Sequence, residues 1–164
     1  MLARLGLRIS FWVGVLGGLA SLAVHLATFT AAPIPPAAWV LHLGIFIAFV
    51  PVVYALFESV GARDIQPFDF QRQLAIQRSI LRVLEPWQRV ALGVLFVYMA
   101  VNFATGAAPA IRDGGEINDY RIFSGHWLGF YTISAVFAHQ LLRRGVPGAI
   151  AEGEAPEAIR EIAP

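Results

Sequence analysis

The chain alternates between long runs without charge and short segments that contain arginine. The first run, residues 9–57, has no Asp, Glu, Lys or Arg and is interrupted only by a proline-rich turn at 32–36. A helix needs about 20 apolar residues to cross the hydrocarbon core of a bilayer. The run is therefore long enough for two membrane-spanning helices, predicted at about 9–30 and 38–60.

Two further charge-free runs follow, at residues 90–111 and 122–142. They predict a third span at about 87–107 and a fourth at about 123–142. Backbone groups inside hydrocarbon have no water to bond, so each span must be a helix. The pattern thus predicts an all-α integral membrane protein, a four-transmembrane-helix bundle forming one domain over residues 1–144.

Orientation is predicted from the positions of the basic residues. Positive charge is concentrated before the first predicted span, between the second and third, and after the fourth. The arginines concerned are Arg4, Arg8, Arg63, Arg72, Arg78, Arg82, Arg89, Arg143 and Arg144. Since cytoplasmic segments carry the excess of Lys and Arg, both termini are expected in the cytoplasm, with the protein in a bacterial-type inner (plasma) membrane.

An alternative for the first 30 residues is a cleavable signal peptide. Arg4 and Arg8 precede an apolar run that ends in small residues, as a signal sequence requires. The apolar core of a signal peptide has about 7–15 residues, whereas this run has about 20. The pattern therefore favours a retained span, and N-terminal sequencing of the mature chain would distinguish the two.

The segment between the second and third spans predicts an amphipathic helix at about 69–84. Its apolar residues project to one side and its arginines to the other. Two interpretations are open: the helix lies on an anionic inner leaflet, or it packs across the cytoplasmic end of the bundle. After the fourth span, the composition of residues 145–164 predicts a disordered acidic tail.

Composition narrows the class of protein further. Hydrophobic residues make up 57% of the chain and charged residues 14%, with a mean hydropathy of +0.64. In soluble domains about 45–50% of the residues are apolar and about 25% are charged. A soluble enzyme, a disordered chain and a nucleic-acid binder are thereby excluded. Cysteine and lysine are absent, which removes disulfides, thiolate ligands and Schiff-base chemistry. No catalytic motif is recognisable, so an enzyme is not expected.

Each predicted span carries one polar residue at a similar depth in the outer leaflet: His25, His42, Asn102 and His126. Polar groups inside a membrane are costly and are therefore candidates for function. Imidazoles can ligate a b-type haem or another metal, and an imidazole with an amide can bind a quinone. The simpler interpretation is that these residues form hydrogen bonds between helices.

Near the cytoplasmic ends of their spans lie two further titratable residues, Glu58 and His139. We expect them to form an inner-leaflet polar pair, because a partner would offset the cost of a carboxylate at this depth. Arg143 is an alternative partner for Glu58.

Glycines four residues apart predict close packing of helices, because the missing side chain lets a second backbone approach. The two pairs are Gly14 with Gly18 and Gly125 with Gly129. Packing within the bundle and docking of another membrane subunit are both compatible with such pairs.

Two functions follow from these observations. The first is a non-enzymatic structural or accessory subunit of a membrane complex, whose partners are the lipid bilayer and either another membrane protein or a second copy. The second is a redox or ligand-binding membrane protein that holds haem b, a quinone or a metal with His25, His42, Asn102 and His126.

Overall fold

The computed structural model describes residues 2–30, 33–59, 70–113 and 119–144, and their regular structure is entirely helical. Within these ranges the α-helices are α1 (Leu2–Ala27), α2 (Val40–Ser59), α3 (Phe70–Arg82), α4 (Pro86–Asp113) and α5 (Asp119–Arg144). A single turn of 3-10 helix at Pro36–Trp39 leads into α2. The predicted tail, 145–164, lies outside the described residues.

Three segments of the described chain are helical, long and apolar enough to cross a membrane. They are Ala3–Ala27 in α1, Pro36–Glu58 ending in α2, and Pro86–Ala108 in α4. The prediction of an all-helical protein with helices able to span a membrane is thereby confirmed for three of the four predicted spans, while the fourth crossing and the orientation of the termini stay predictions. Helix α5 is equally long but does not belong to this set, since serine, glycine, glutamine, histidine and terminal arginines lower its hydropathy.

Helix α5 occupies the centre of the bundle, in contact with α1, α2 and α4. Its buried residues include Trp127, Tyr131, Ser124, Ser134 and Gln140, all at most 1% exposed. Among the described residues, the large hydrophobic side chains that are exposed lie on the other helices and their connections. The helix with the lowest hydropathy of the four long ones is therefore the one most enclosed by protein.

Two clusters of buried side chains hold the helices together. One joins the beginning of α1, the ends of α2 and α5, and the second residue after α3; its members are Leu7, Val52, Ala55, Leu56, Leu84, Phe137, Ala138 and Leu141. The other lies toward the opposite end and comprises Ala38, Ala48, Trp127 and Tyr131. The first cluster thus brings together the chain segments that carry most of the arginines.

The contact between α1 and α5 is close enough to exclude a side chain at Gly14. A Cβ atom there would lie 2.9 Å from the backbone nitrogen of Ala135 and 3.0 Å from the carbonyl oxygen of Tyr131. On α5, Gly125 faces Asn102 of α4, and Gly129 faces Met99 of α4. Gly14, Gly125 and Gly129 therefore pack within this chain, while Gly18 has only an ordinary contact with Tyr131, at 3.7 Å.

Helix boundaries extend beyond the charge-free runs from which the spans were predicted. Helix α1 begins at Leu2 and includes Arg4 and Arg8, both exposed. Helix α4 continues to Asp113, past the predicted end at 107. Arginine is a good helix former, so charge marks where a helix leaves hydrocarbon and does not mark where the helix itself ends.

Helix α3 lies within the segment predicted as an amphipathic helix, 69–84, and ends two residues earlier than predicted, at Arg82; residue 69 lies outside the described ranges. Ile80 and Val83 pack against the first cluster, and Leu84 is a member of it at 1% exposure. Leu81, by contrast, remains 47% exposed. Part of the apolar side of α3 is therefore used for packing on the bundle and part is not.

Candidate functional site

Polar contacts from α1 and α4 meet at the first turns of α5. Gly125 leaves room there for the side chain of Asn102, because a Cβ atom at position 125 would collide with its amide nitrogen. Gly106 similarly lies against Ile122, whose Cγ1 would be 2.7 Å from an added Cβ. These two glycines allow α4 to approach α5 closely, and the polar side chains of three helices come within hydrogen-bonding distance.

His25 is the central residue of this region and is only 2% exposed. Its Nδ1 lies 2.8 Å from Ser124 Oγ, and its Nε2 is hydrogen-bonded to the hydroxyl of Tyr98. Ser124 Oγ also donates to the carbonyl oxygen of Arg121, at 3.3 Å. A consistent assignment follows: Tyr98 donates to Nε2 of a neutral imidazole, and Nδ1–H donates to Ser124.

Asn102 completes the arrangement from α4. Its side chain is 4% exposed, and Nδ2 donates to the carbonyl oxygen of Arg121 over 2.9 Å. That carbonyl therefore accepts two side-chain hydrogen bonds, from Ser124 and Asn102. We refer to Tyr98, His25, Ser124, Asn102 and the Arg121 carbonyl as the His25 network.

Aromatic contacts surround the network. The guanidinium carbon of Arg121 lies 4.8 Å from the ring centroid of Phe29, within the range of a cation–π interaction. The same phenylalanine packs edge-on against the imidazole of His25, at 5.2 Å between centroids. His25 is thus held by hydrogen bonds at both nitrogens and by an aromatic ring against its side.

His42 occupies a different environment. Its Nδ1 accepts a hydrogen bond from Nε1 of the fully buried Trp127, at 3.2 Å, and its side chain is exposed. Phe123 packs edge-on against the ring at 6.0 Å. The contact with Trp127 satisfies the indole N–H, which would otherwise be a buried donor without an acceptor.

His126 is bonded to its own helix. Its Nδ1 lies 2.9 Å from the carbonyl oxygen of Ile122, one turn earlier, and therefore donates to it. The ring, half-buried, packs edge-on against Phe103 at 5.6 Å. Local bonding of this kind orients the imidazole along the α4–α5 contact.

The structure brings together two of the four residues predicted as a shared site. His25 and Asn102 meet in the His25 network, whereas His42 and His126 have separate partners. Within the described ranges, no group of three or more His, Cys, Asp or Glu residues could hold a metal ion. A ligand bound by all four residues at once stays a prediction, and the His25 network is the part of the predicted site whose residues contact one another.

The predicted pair of Glu58 and His139 lies toward the other end of the bundle. Glu58 accepts a hydrogen bond from the hydroxyl of Tyr54, at 3.0 Å along the same helix. His139 is exposed, and its ring packs against Phe11 of α1 at 5.8 Å. Direct contact between the two stays a prediction.

Two residues of the network, Tyr98 and Ser124, were not among the predicted site residues. Tyr98 precedes Asn102 by one helical turn, so a shared face was readable from the sequence. Ser124 adjoins a glycine near the start of a helix, which is a weak signal for an interhelical hydrogen bond. Its partner, 99 positions away in the chain, could not be identified without the fold.

A shallow apolar groove of about 460 Å³ separates α1 from α2 on the outside of the bundle. It is lined by Gly6, Ile9, Phe46, Ile47, Val50 and Pro51. The lining contains no side chain able to donate or accept a hydrogen bond, so the groove suits a lipid acyl chain and no polar ligand.

Comparison of the chain with protein families, with curated proteins and with solved structures found no match. The chemistry of the site therefore has to be inferred from its geometry. That geometry is a neutral, interhelical hydrogen-bond network in which His25 bonds to side chains from two other helices.

Proposed function

We propose that this protein is a small multi-pass protein of a bacterial-type inner membrane, acting as a structural or accessory subunit of a membrane complex and not as an enzyme. In this proposal α1, α2, α4 and α5 all cross the bilayer, and both termini lie on the cytoplasmic side. The observation that carries the functional part is the mutual pairing of the polar side chains between the helices.

A fourth crossing by α5 is supported by its length and surroundings. Its 26 residues correspond to about 39 Å at 1.5 Å per residue, enough for a hydrocarbon core of about 30 Å. Ser124, Ser134 and Gln140 are enclosed by neighbouring helices, and so they need not meet lipid. Arg143 and Arg144 follow at one end of the helix, where an interface would begin.

A structural role is supported by how the polar groups are bonded. Tyr98, His25, Ser124 and Asn102 bond to one another or to the Arg121 carbonyl. Likewise Ser134 Oγ donates to the carbonyl oxygen of Ala48. Groups that bind or transform a substrate must face a space where it can lie, whereas these face each other and lock the helices in register.

An accessory role is supported by the apolar surface of α4. One side of this helix is not covered by the other described residues, with Val90, Val94, Val97 and Val101 each 55–68% exposed. Apolar β-branched side chains of this kind can pack against lipid or against another membrane helix.

Affinity purification at native expression level tests the accessory role. We expect a tagged chain, extracted in mild detergent, to recover another membrane protein in a fixed ratio. A chain of 17.9 kDa that purifies alone, or only with further copies of itself, would contradict the proposal.

A second candidate function is ligand binding at the His25 network. It is favoured by one observation: Tyr98 is 40% exposed while its hydroxyl bonds to the buried His25. A bilayer-soluble molecule with carbonyl oxygens, such as a quinone, could therefore approach the phenol from the membrane.

Absorption spectroscopy and quinone binding distinguish this candidate from the first. A haem protein shows a Soret band that His25→Ala abolishes, and a quinone site shows saturable binding of a short-chain quinone that the same substitution weakens. His139→Ala, in which an exposed imidazole is removed, serves as the matched control and should leave both readouts unchanged. A colourless preparation without saturable quinone binding would exclude this second function.

A further inference from the structure

One end of the bundle is strongly basic, which we call the basic end. The first cluster of buried residues joins the start of α1, the ends of α2 and α5, and the connection between α3 and α4, and arginines lie in or next to these segments. Within the described ranges they are Arg4, Arg8, Arg78, Arg82, Arg89, Arg143 and Arg144, all exposed. The acidic side chains described there are Glu58 and Glu85, and Glu85 is paired with Arg144 at 2.7 Å.

Helix α3 is held at this end by its last turn and by the two residues that follow it. Leu84 is buried, and Ile80 and Val83 pack beside it. Arg144 donates to the carbonyl oxygen of Arg82 at 3.3 Å. The orientation of α3 about its own axis is thereby determined where it meets the bundle.

This orientation leaves one side of α3 without a partner in the described chain. Gln77, Arg78, Leu81 and Arg82 are all exposed, and we call them the α3 face. At 100° per residue, Leu81 projects about 100° away from Ile80, which packs on the bundle, and the two arginines lie about 60° and 100° from Leu81 on its other side. An exposed leucine beside two guanidiniums matches the arrangement of interfacial helices, whose apolar side enters the acyl region while basic side chains meet headgroups.

The position of Trp87 indicates that this face lies at the level of the membrane surface. Trp87 is the second residue of α4 and is 68% exposed. Tryptophan is enriched where spans leave hydrocarbon for the headgroup region. Leu81 precedes it by only six residues, across the short connection at 83–85.

We propose that the α3 face binds the headgroups of anionic phospholipids, with Leu81 inserted among the acyl chains and the guanidiniums of Arg78 and Arg82 on the phosphates. The charge of the basic end is complementary to an anionic leaflet. This surface is independent of the His25 network and goes beyond the accessory role proposed above.

A single spin label tests the proposal in the full chain. The protein has no cysteine, so Gln77→Cys introduces one unique attachment site beside Leu81. The labelled protein is placed in nanodiscs of phosphatidylcholine, with and without phosphatidylglycerol. Collisions with oxygen, which concentrates in lipid, are then compared by EPR with collisions with a water-soluble nickel chelate.

We expect the ratio of oxygen to nickel collisions to be higher in the anionic nanodiscs. Replacing Arg78 and Arg82 with glutamine should reduce the ratio of membrane-bound to unbound α3 about 25-fold. Each arginine near an anionic surface changes this binding equilibrium about fivefold. Arg112→Gln is the matched control, because Arg112 is an exposed helical arginine at the opposite end.

Three results would overturn the proposal. The first is a collision ratio that does not depend on phosphatidylglycerol. The second is a loss of that dependence in Arg112→Gln as large as in the double variant. The third is a label shielded from both reagents, because a protein surface would then cover the α3 face.

Discussion

Tyr131 determines the spacing of three helices from a single position on α5. Its side chain is 1% exposed, and its hydroxyl donates to the carbonyl oxygen of Leu41 at 2.6 Å. The ring occupies the space beside Gly17 on α1, and the hydroxyl lies against Gly44 on α2. Because the hydroxyl is anchored at its far end, the ring cannot move aside for a larger neighbour.

We therefore expect Gly17→Ala to destabilise the bundle. A Cβ atom there would come within 2.6 Å of three ring carbons of Tyr131, and such overpacking costs about 1–3 kcal/mol. Unfolding of the purified protein by SDS in mixed micelles measures the change. Gly93→Ala is the matched control: nothing lies within 4 Å of its added Cβ, and alanine is the better helix former by about 1 kcal/mol. Equal stability of the two variants would contradict the expectation.

Tyr98→Phe tests how much the hydrogen bonds of the His25 network contribute to the stability of the fold. The substitution leaves Nε2 of His25 without its donor while the phenyl ring at position 98 stays in place. We expect the free energy of unfolding to fall by about 0.6 kcal/mol, and by about 1.7 kcal/mol at most. The cost should not add to that of Ser124→Ala, since both residues bond to one imidazole. Tyr54→Phe, which removes an exposed hydroxyl bonded within its own helix, should have almost no effect. Additive costs in a double-mutant cycle would mean that the two bonds act independently.

At the scale of elements, the connection between α3 and α4 is held by three kinds of contact. Leu84 is buried in the first cluster. Gln88 Oε1 accepts from the backbone N–H of Glu85 at 2.9 Å, one half of a capping box, and from Gln140 Nε2 at 2.7 Å. The ion pair of Glu85 with Arg144 joins the connection to α5 from outside.

These contacts differ in the stability that they contribute. Leu84→Ala removes a side chain that is 1% exposed and should cost about 2–5 kcal/mol. Glu85→Gln breaks an ion pair whose side chains are 42% and 38% exposed, and its cost should stay below about 1 kcal/mol. The same SDS titration compares them. A larger effect of Glu85→Gln would mean that the ion pair, and not apolar burial, holds α3 in place.

At the scale of the whole molecule, charge and burial divide the protein in two directions. Along the bundle axis, the basic end contrasts with the end that carries the His25 network. Across the bundle, exposed apolar side chains on α1, α2 and α4 surround a polar central helix. The second contrast explains why α5 has the lowest hydropathy of the four long helices. A helix enclosed by three others need not be apolar itself.

Labelling from one side of the membrane tests whether α5 crosses it. Arg112→Cys and Arg143→Cys each place a single cysteine at an exposed position, one near the end of α4 and one near the end of α5. With a membrane-impermeant maleimide on intact spheroplasts, we expect labelling at position 112 only, and labelling at both after permeabilisation. Labelling of both residues in intact spheroplasts would place α5 on one side of the membrane and reduce the crossings to three.

Much of the fold could be predicted from the sequence because it depends on local chemistry. Charge-free runs of 20 residues can only be helices in hydrocarbon, and three helices of the structure are long and apolar enough to span a membrane. The site was predicted in part: His25 and Asn102 were identified as polar residues in apolar spans, since their cost is visible at each position alone. Their partners Tyr98 and Ser124 were missed, since partnership depends on which helix faces correspond.

The sequence by itself therefore determined the helical membrane character, the amphipathic nature of α3 and the concentration of arginine in particular segments. Only the tertiary structure decided that α5 is central, that Gly14, Gly125 and Gly129 pack within the chain, and that His25 and Asn102 share one network while His42 and His126 have other partners. The physical reason is that hydropathy and helix formation are properties of neighbouring residues. The rotation and pairing of helices depend instead on contacts between residues as far apart as His25 and Ser124.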